Sequence, residues 1–192
     1  MPDRTRLDVE RLPPEAIRVT RALYAHGFFV EAELGARFFL SGVAEVIRPG
    51  PWASIQVGYE LFDWLMILVG AEGSMHRTDA PPPPAQTAFE LVGGTASVRL
   101  QANFTSEIAL WLSGQIGLII ATTGVLGLFG FQDAGSVGVD YGGELGLDWH
   151  LRSRHHSLGL LGGLRHYPSL ESPLASTPAL GIHAAAYARY VF

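Results

Sequence analysis

The stretch Leu180-Gly181-Ile182-His183-Ala184-Ala185-Ala186-Tyr187-Ala188-Arg189-Tyr190-Val191-Phe192 decides how the rest of the chain reads. In an extended backbone Leu180, Ile182, Ala184, Ala186, Ala188, Tyr190 and Phe192 share one side, and Gly181, His183, Ala185, Tyr187 and Arg189 the other. The result is a strand with an apolar face and a mixed, polar face.

The same period of two runs backward through the chain. From Gly27, Phe28, Val30, Ala32, Leu34, Ala36, Phe38 and Leu40 alternate with Phe29, Glu31, Glu33, Gly35, Arg37 and Phe39. Val43–Pro51 reads as a loop, and a second strand over 52–62 sets Ile55, Val57, Tyr59 and Leu61 against Ser54, Gln56, Gly58 and Glu60. A tight turn at Asp63-Trp64 leads to a third strand, with Leu65, Ile67, Val69 and Ala71 opposite Met66, Leu68, Gly70, Glu72 and Ser74. Pro81–Pro84 cannot lie in a central strand, so His76–Gln86 is expected to be a long loop.

The fourth strand, 87–101, changes phase at Gly93-Gly94: Phe89 and Leu91 have one parity, Ala96, Val98 and Leu100 the other. A Gly bulge there would restore the facing and leave Glu90 and Arg99 on the polar side. After a short turn at Asn103–Ser106, a fifth strand places Ile108, Leu110, Leu112, Ile116, Leu118 and Ile120 against Ala109, Trp111, Ser113, Gln115 and Gly117. Thr122–Gly135 is a long, unusually apolar connection. The sixth strand sets Val137, Val139, Tyr141, Leu145, Leu147 and Trp149 against Gly138, Asp140, Gly142, Glu144, Gly146 and Asp148. Arg152–His156 is a compact basic turn. The seventh strand covers 158–165, and Pro168–Pro178 is the last long loop before the closing strand.

Composition narrows the class. Among 192 residues, 48% are apolar and only 16% charged, below the roughly 25% usual in soluble domains. Every one of the 13 basic residues is Arg, so a Lys-studded exterior is missing. The formal charge of −5, without a basic cluster, argues against a nucleic-acid partner. With no Cys, disulfides and thiolate metal sites are excluded. Residues 1–26 form a separate segment: charged and aperiodic to Pro14, then a short helix over 15–24 that starts at Pro13-Pro14. Met1–Arg21 has no apolar core of a secretory leader, which an exported chain would be expected to carry.

Eight strands over 27–192, with long and short connections in strict alternation, resemble the small eight-stranded outer-membrane β-barrels of bacteria, of the OmpA/OmpX kind. The ending on Tyr190 and Phe192 is similar to the closing strand of that family. There, the resemblance implies, these two aromatics are the signal read by the barrel-assembly machinery. The fold class expected is all-β: an eight-stranded antiparallel up-and-down transmembrane barrel, preceded by a periplasmic segment over 1–26. The opening His26-Gly27-Phe28-Phe29-Val30-Glu31-Ala32, the absent Lys and the Gly-rich strands also resemble small barrels of myxobacterial gliding machinery, the CglE type. That resemblance implies a role in anchoring or assembling an envelope motility or adhesion complex.

Alternation alone does not say which face is wet, because a lipocalin-like soluble barrel turns its apolar side inward. The glycines decide it here. Gly35, Gly58, Gly70, Gly117, Gly138, Gly142, Gly146, Gly159, Gly163 and Gly181 lie on the polar face, where a crowded interior requires small residues. Aromatics near strand ends, including Phe28, Phe38, Tyr141, Trp149, Tyr190 and Phe192, suit interfacial girdles. The polar face is therefore expected inside, as a lumen ion-pair network of Glu31, Glu33, Arg37, Glu60, Glu72, Glu90, Arg99, Asp140, Glu144, Asp148, Arg165 and Arg189. Eight strands leave a bore just wide enough to be filled by side chains, so a plug is expected rather than a channel. Carboxylates outnumber Arg in this set, so some are expected to share protons or meet water.

A helical reading of Ile108–Phe131 satisfies the length of a membrane span, but Gly114, Gly117, Gly124, Gly127, Gly130 and Thr122-Thr123 interrupt it, and it would leave the neighbouring strands unpaired.

Chemistry is sparse. Glu31/Glu33 and Glu144/Asp148 share strand faces and could serve as acid and base or bind a cation, though ion pairing explains them as well. His155-His156 sits in a turn, where adjacent side chains diverge. No cofactor and no metal site is expected. His166-Tyr167-Pro168-Ser169, with Glu171 nearby, is similar to the His-x-Ser site of outer-membrane lipid A deacylases, but the extra residue puts Ser169 on the other parity after a Pro. Exposed apolar side chains in a loop are costly unless covered, so Val125, Leu126, Leu128, Phe129 and Phe131 are expected to contact an envelope protein partner. The function expected is a non-enzymatic outer-membrane barrel. The alternatives are a lipid A-modifying hydrolase and a soluble ligand-binding barrel.

Overall fold

The computed structural model describes residues 27–78, 88–122, 126–127, 135–151, 155–170 and 178–192. Eight strands, β1 (Phe28–Phe39), β2 (Gly50–Phe62), β3 (Leu65–Arg77), β4 (Ala88–Asn103), β5 (Ile108–Ala121), β6 (Gly138–His150), β7 (His156–His166) and β8 (Leu180–Val191), pair in sequence order. Each neighbour is antiparallel, and β1 also pairs with β8 from Phe29↔Val191 to Phe39↔Gly181, which closes the sheet. Closure leaves no strand edge unpaired. Short 3-10 helices run over Ser41–Glu45 and Pro168–Leu170, and Leu126 and Gly127 are also 3-10 helical. The expected helix over 15–24 and the whole segment 1–26 lie outside those residues.

The connections alternate as the pattern requires. β2 and β3 are joined by Asp63 and Trp64 alone, whereas β5 and β6 are separated by residues 122–137. Two expected loops are shorter than the sequence suggested. β2 begins at Gly50, and β3 continues through His76 to Arg77, with Ile47 bridging to Thr78 beyond it. β3 extends past the expected start of the loop because His76 faces inward, its ring 5.2 Å from Phe39 and 5.6 Å from Phe89.

The barrel is greasy outside and ionic within. Leu34 (70% exposed), Val69 (62%) and Leu160 (62%) point outward, whereas Glu31, Arg37 and Asp148 are 0% exposed. The lipocalin-like alternative needs the opposite arrangement and is overturned by this inversion. Ile55, Leu110, Leu147 and Ile182 all lie on the outer surface.

Interior glycines explain how so many large side chains fit. Gly58 pairs with Phe29, Gly146 with Trp111, Gly159 with Tyr187 and Gly163 with His183. A Cβ at any of the four would overlap the ring across from it. Outward Gly114, by contrast, has nothing within 4 Å of a built Cβ. Each aromatic thus covers the backbone that its glycine leaves bare.

β4 corrects one expectation. The Gly93-Gly94 phase change is not a bulge, because register runs unbroken from Leu91↔Ala121 to Asn103↔Ala109. Phe89 and Leu91 face inward and Glu90 faces outward. The hydrophobic pattern shifts because the interior changes from ionic to apolar near the long-loop end, where Phe89 and Leu91 join Phe39, Val43, Ile47, Ile119, Ala121, Leu126, Tyr167, Leu170 and Ala179. At the other end Phe29, Met66 and Leu68 form a smaller apolar layer. Charged residues occupy the space between.

Candidate functional site

Two hydrogen-bonded clusters occupy the bore. Nearer the short turns, Arg99 grips Glu31 with both terminal nitrogens, Nη1 to Oε2 at 2.9 Å and Nη2 to Oε1 at 2.8 Å. Arg189 donates from Nε to the same Oε2 at 2.7 Å and from Nη1 to Asp148 Oδ2 at 2.9 Å. The Tyr187 hydroxyl donates to Asp148 Oδ1 at 2.5 Å and accepts from Trp111 Nε1 at 2.6 Å. The Arg99 guanidinium lies 3.8 Å from the Trp111 ring centroid. Two cations meet two anions here, and the planar forks satisfy several lone pairs at once.

The second cluster lies toward the long loops. Glu72 accepts from Arg37 Nη2 at 2.9 Å and from Trp52 Nε1 at 3.1 Å, and pairs with Arg165 Nη1 at 2.8 Å. Arg165 Nη2 donates to Gln115 Oε1 at 2.9 Å and to Glu144 Oε1 at 3.3 Å. Glu144 Oε1 also accepts from Gln115 Nε2 at 2.8 Å and lies 2.8 Å from His183 Nε2. Above it Arg37 Nη1 reaches Ser74 Oγ at 3.4 Å, and His76 Nε2 lies 2.9 Å from the same oxygen.

The balance of charge is uneven. Among the described residues, Glu31, Glu33, Glu72, Asp140, Glu144 and Asp148 are buried with four guanidiniums, those of Arg37, Arg99, Arg165 and Arg189. The surplus falls on two residues. Glu33 accepts one bond, from Gln56 Nε2 at 2.8 Å, while its second oxygen accepts none. Asp140 accepts no hydrogen bond and stands 3.6 Å from Arg165 Nη1. Both lie opposite small or neutral neighbours, and a Cβ at Gly117 would come within 2.7 Å of Asp140 Oδ2.

Of the twelve charged residues expected in the lumen, ten are buried there. Glu60 is half-buried at the short-turn end of β2, where its backbone N–H donates to Gly27. Glu90 is outside, as the unbroken β4 register requires. Charge alone could not identify the neutral members. Trp52, Gln56, Trp111, Gln115, His183 and Tyr187 complete the clusters; His183 and Tyr187 share the inward face of β8 with the buried Arg189, whereas the inward faces of β2 and β5 carry no buried ion to mark the other four.

Of the apolar loop residues expected to meet a partner, Leu126 is fully buried in the apolar layer that caps the bore. It therefore presents no contact surface; its side chain finds cover within its own chain. Val125, Leu128, Phe129 and Phe131 lie outside the described residues. Tyr190 and Phe192 are exposed on the outer wall, ring centroids 5.1 Å apart, with His156 5.0 Å from Tyr190.

His166 belongs to the outer face. Its Nδ1 lies 2.8 Å from the Tyr141 hydroxyl, and the rings meet edge to face at 5.1 Å. Ser169 packs on Gly138, and Glu171 lies outside the described residues. His155 Nδ1 sits 2.6 Å from the Val191 carbonyl, so the two adjacent histidines serve different neighbours. Among the described residues no group of three His, Asp or Glu has metal-holding geometry.

No protein-family model matches the chain, and no curated protein matches it. Among solved structures, Neisserial surface protein A superposes with a TM-score of 0.61 at 17% identity, covering 86% of this chain and 97% of that one. The Yersinia pestis attachment invasion locus protein Ail (TM-score 0.45, 8% identity, 86% and 99% covered) and the outer membrane enzyme PagL (0.43, 9%, 84% and 98%) are more distant. With the pairing and closure above, the chain is a closed, eight-stranded, up-and-down antiparallel β-barrel, resembling the small outer-membrane barrels in fold.

Proposed function

We propose that the chain is an integral outer-membrane barrel of a bacterial envelope, with a bore sealed by its own side chains and no catalytic role. The observation that carries this reading is the inversion of the barrel. An apolar wall formed by all eight strands is a surface that water covers only at high cost, roughly 25 cal/mol for each Å², and lipid covers for nothing. Ionic groups in the bore, paired with one another, are what a lipid-facing barrel must hide. The two apolar layers above and below the ionic clusters support a plug rather than a pore.

A sealed barrel acts through what it presents at its ends. On this reading the long connections face the cell exterior and meet an envelope partner, in an adhesion or complex-assembly role of which gliding machinery is one instance. The barrel-assembly machinery inserts the chain, with Tyr190 and Phe192 on the closing strand as its signal. The test is fractionation of cells that make the protein, followed by electrophoresis with and without boiling. The expected result is recovery in outer membranes and a mobility that shifts on heating. Extraction by buffer alone, with no heat-dependent shift, would refute the proposal. Pull-down from those membranes then identifies the partner.

A further inference from the structure

One patch of the outer wall departs from the rest. Across β1 to β4, Leu34, Ala53, Gly73 and Val92 stand in one cross-strand row. In the row nearer the long loops, Pro51 stands opposite Ala36 and Met75 opposite Glu90. The small residues Pro51, Ala53 and Gly73 form the floor of a groove of about 330 Å³, with Leu34, Met75 and Val92 as its walls. Glu90 stands at the loop-side end, its side chain on the outer face. Arg77 is exposed on the same face, opposite Ala88 and diagonal to Glu90, a spacing of about 7–8 Å.

We propose that this groove binds an ethanolamine phospholipid, an acyl chain lying along Pro51, Ala53 and Gly73 and the headgroup between Glu90 and Arg77. The inference rests on the membrane reading and adds a ligand to it. Charge complementarity selects the occupant. A carboxylate at the end of an apolar trough favours an amphiphile with a cationic head, and the neighbouring guanidinium suits the adjoining phosphate. A primary ammonium donates hydrogen bonds to the carboxylate, whereas a trimethylammonium cannot. The groove therefore separates ethanolamine from choline lipids.

The test reconstitutes the full chain in nanodiscs of equimolar palmitoyl-oleoyl phosphatidylethanolamine and phosphatidylcholine, then counts retained lipid by native mass spectrometry after transfer to detergent. About fivefold retention of the ethanolamine lipid over the choline lipid is expected, the scale of one charge-assisted hydrogen bond at a half-exposed site. Glu90→Gln should remove the preference. Gly73→Leu should reduce retention of both lipids; its new side chain has room, since a Cβ there comes no nearer than 3.9 Å to Leu91 O. Equal retention by the wild type, a preference that survives Glu90→Gln, or retention that survives Gly73→Leu would each overturn the groove and leave the membrane reading intact. Failure of the wild type to enter the nanodiscs would overturn both.

Discussion

Glu31 and Glu33 are two residues apart on β1, point into the same bore, and differ only in their partners. Replacing either by Gln turns a carboxyl group into an amide and keeps the shape, so the pair isolates what counter-charge contributes. Glu31 accepts three charged hydrogen bonds, two from Arg99 and one from Arg189. Glu31→Gln turns an NH₂ toward one guanidinium and strands part of two buried cations, a loss of about 3–5 kcal/mol. Glu33 accepts one bond, from Gln56, and no cation of the described residues contacts it. Glu33→Gln exchanges a carboxyl group that faces no cation for an amide of the same shape and is expected to change stability by less than about 1 kcal/mol. The assay is urea unfolding of the refolded barrel in phospholipid vesicles, followed by tryptophan fluorescence. A large drop in midpoint for Glu31→Gln with little change for Glu33→Gln is predicted. Equal shifts would refute the ionic geometry, because they would mean that both carboxylates sit in the same environment.

Glycine packing gives a second contrast. Gly146→Ala drives a methyl into the Trp111 ring and should cost about 1–3 kcal/mol, while Gly114→Ala on the open outer wall should stay within about 0.5 kcal/mol; unfolding midpoints measure both. Leu112→Arg, on the outer face of β5, should cost about 2–4 kcal/mol in vesicles if that face meets lipid, read from the same urea curves; an unchanged midpoint would mean that the residue meets water. Tyr167 follows β7 in a connection outside the strands, and burial pushes its phenol from the usual 10 up to about 12. Its folded form holds the proton longer than the unfolded chain does, so its contribution is complete below pH 10 and is lost as pH rises toward 12. The fall in stability over that window should be shallower in Tyr167→Phe, measured by equilibrium unfolding at each pH.

The period of two made most of this fold legible. Each strand's inward and outward sets follow from its parity, and the alternating connection lengths follow from Gly and Pro positions. β4 was misread for a physical reason. Parity reports the difference between two environments, and near the long loops the interior is itself apolar, so Phe89 and Leu91 look outward by composition while facing in. The same layer explains Leu126, whose hydrophobicity suggested a partner and whose cover is internal. The neutral members of the ionic clusters were hidden for another reason. Trp111, Gln115 and Tyr187 matter through hydrogen bonds to strands far off in sequence, and pairing register, not composition, brings them together.

Tryptophan position gives the most direct test of a lipid-facing wall around an ionic bore. Trp64 and Trp149 are exposed on the outside, whereas Trp52 and Trp111 are buried inside. In vesicles made with brominated acyl chains, the wild-type fluorescence should be strongly quenched, and Trp64→Phe/Trp149→Phe, which keeps only the inner pair, should lose most of that quenching. If the inner pair is quenched as strongly as the wild type, or if brominated lipid quenches neither protein, the wall does not face lipid.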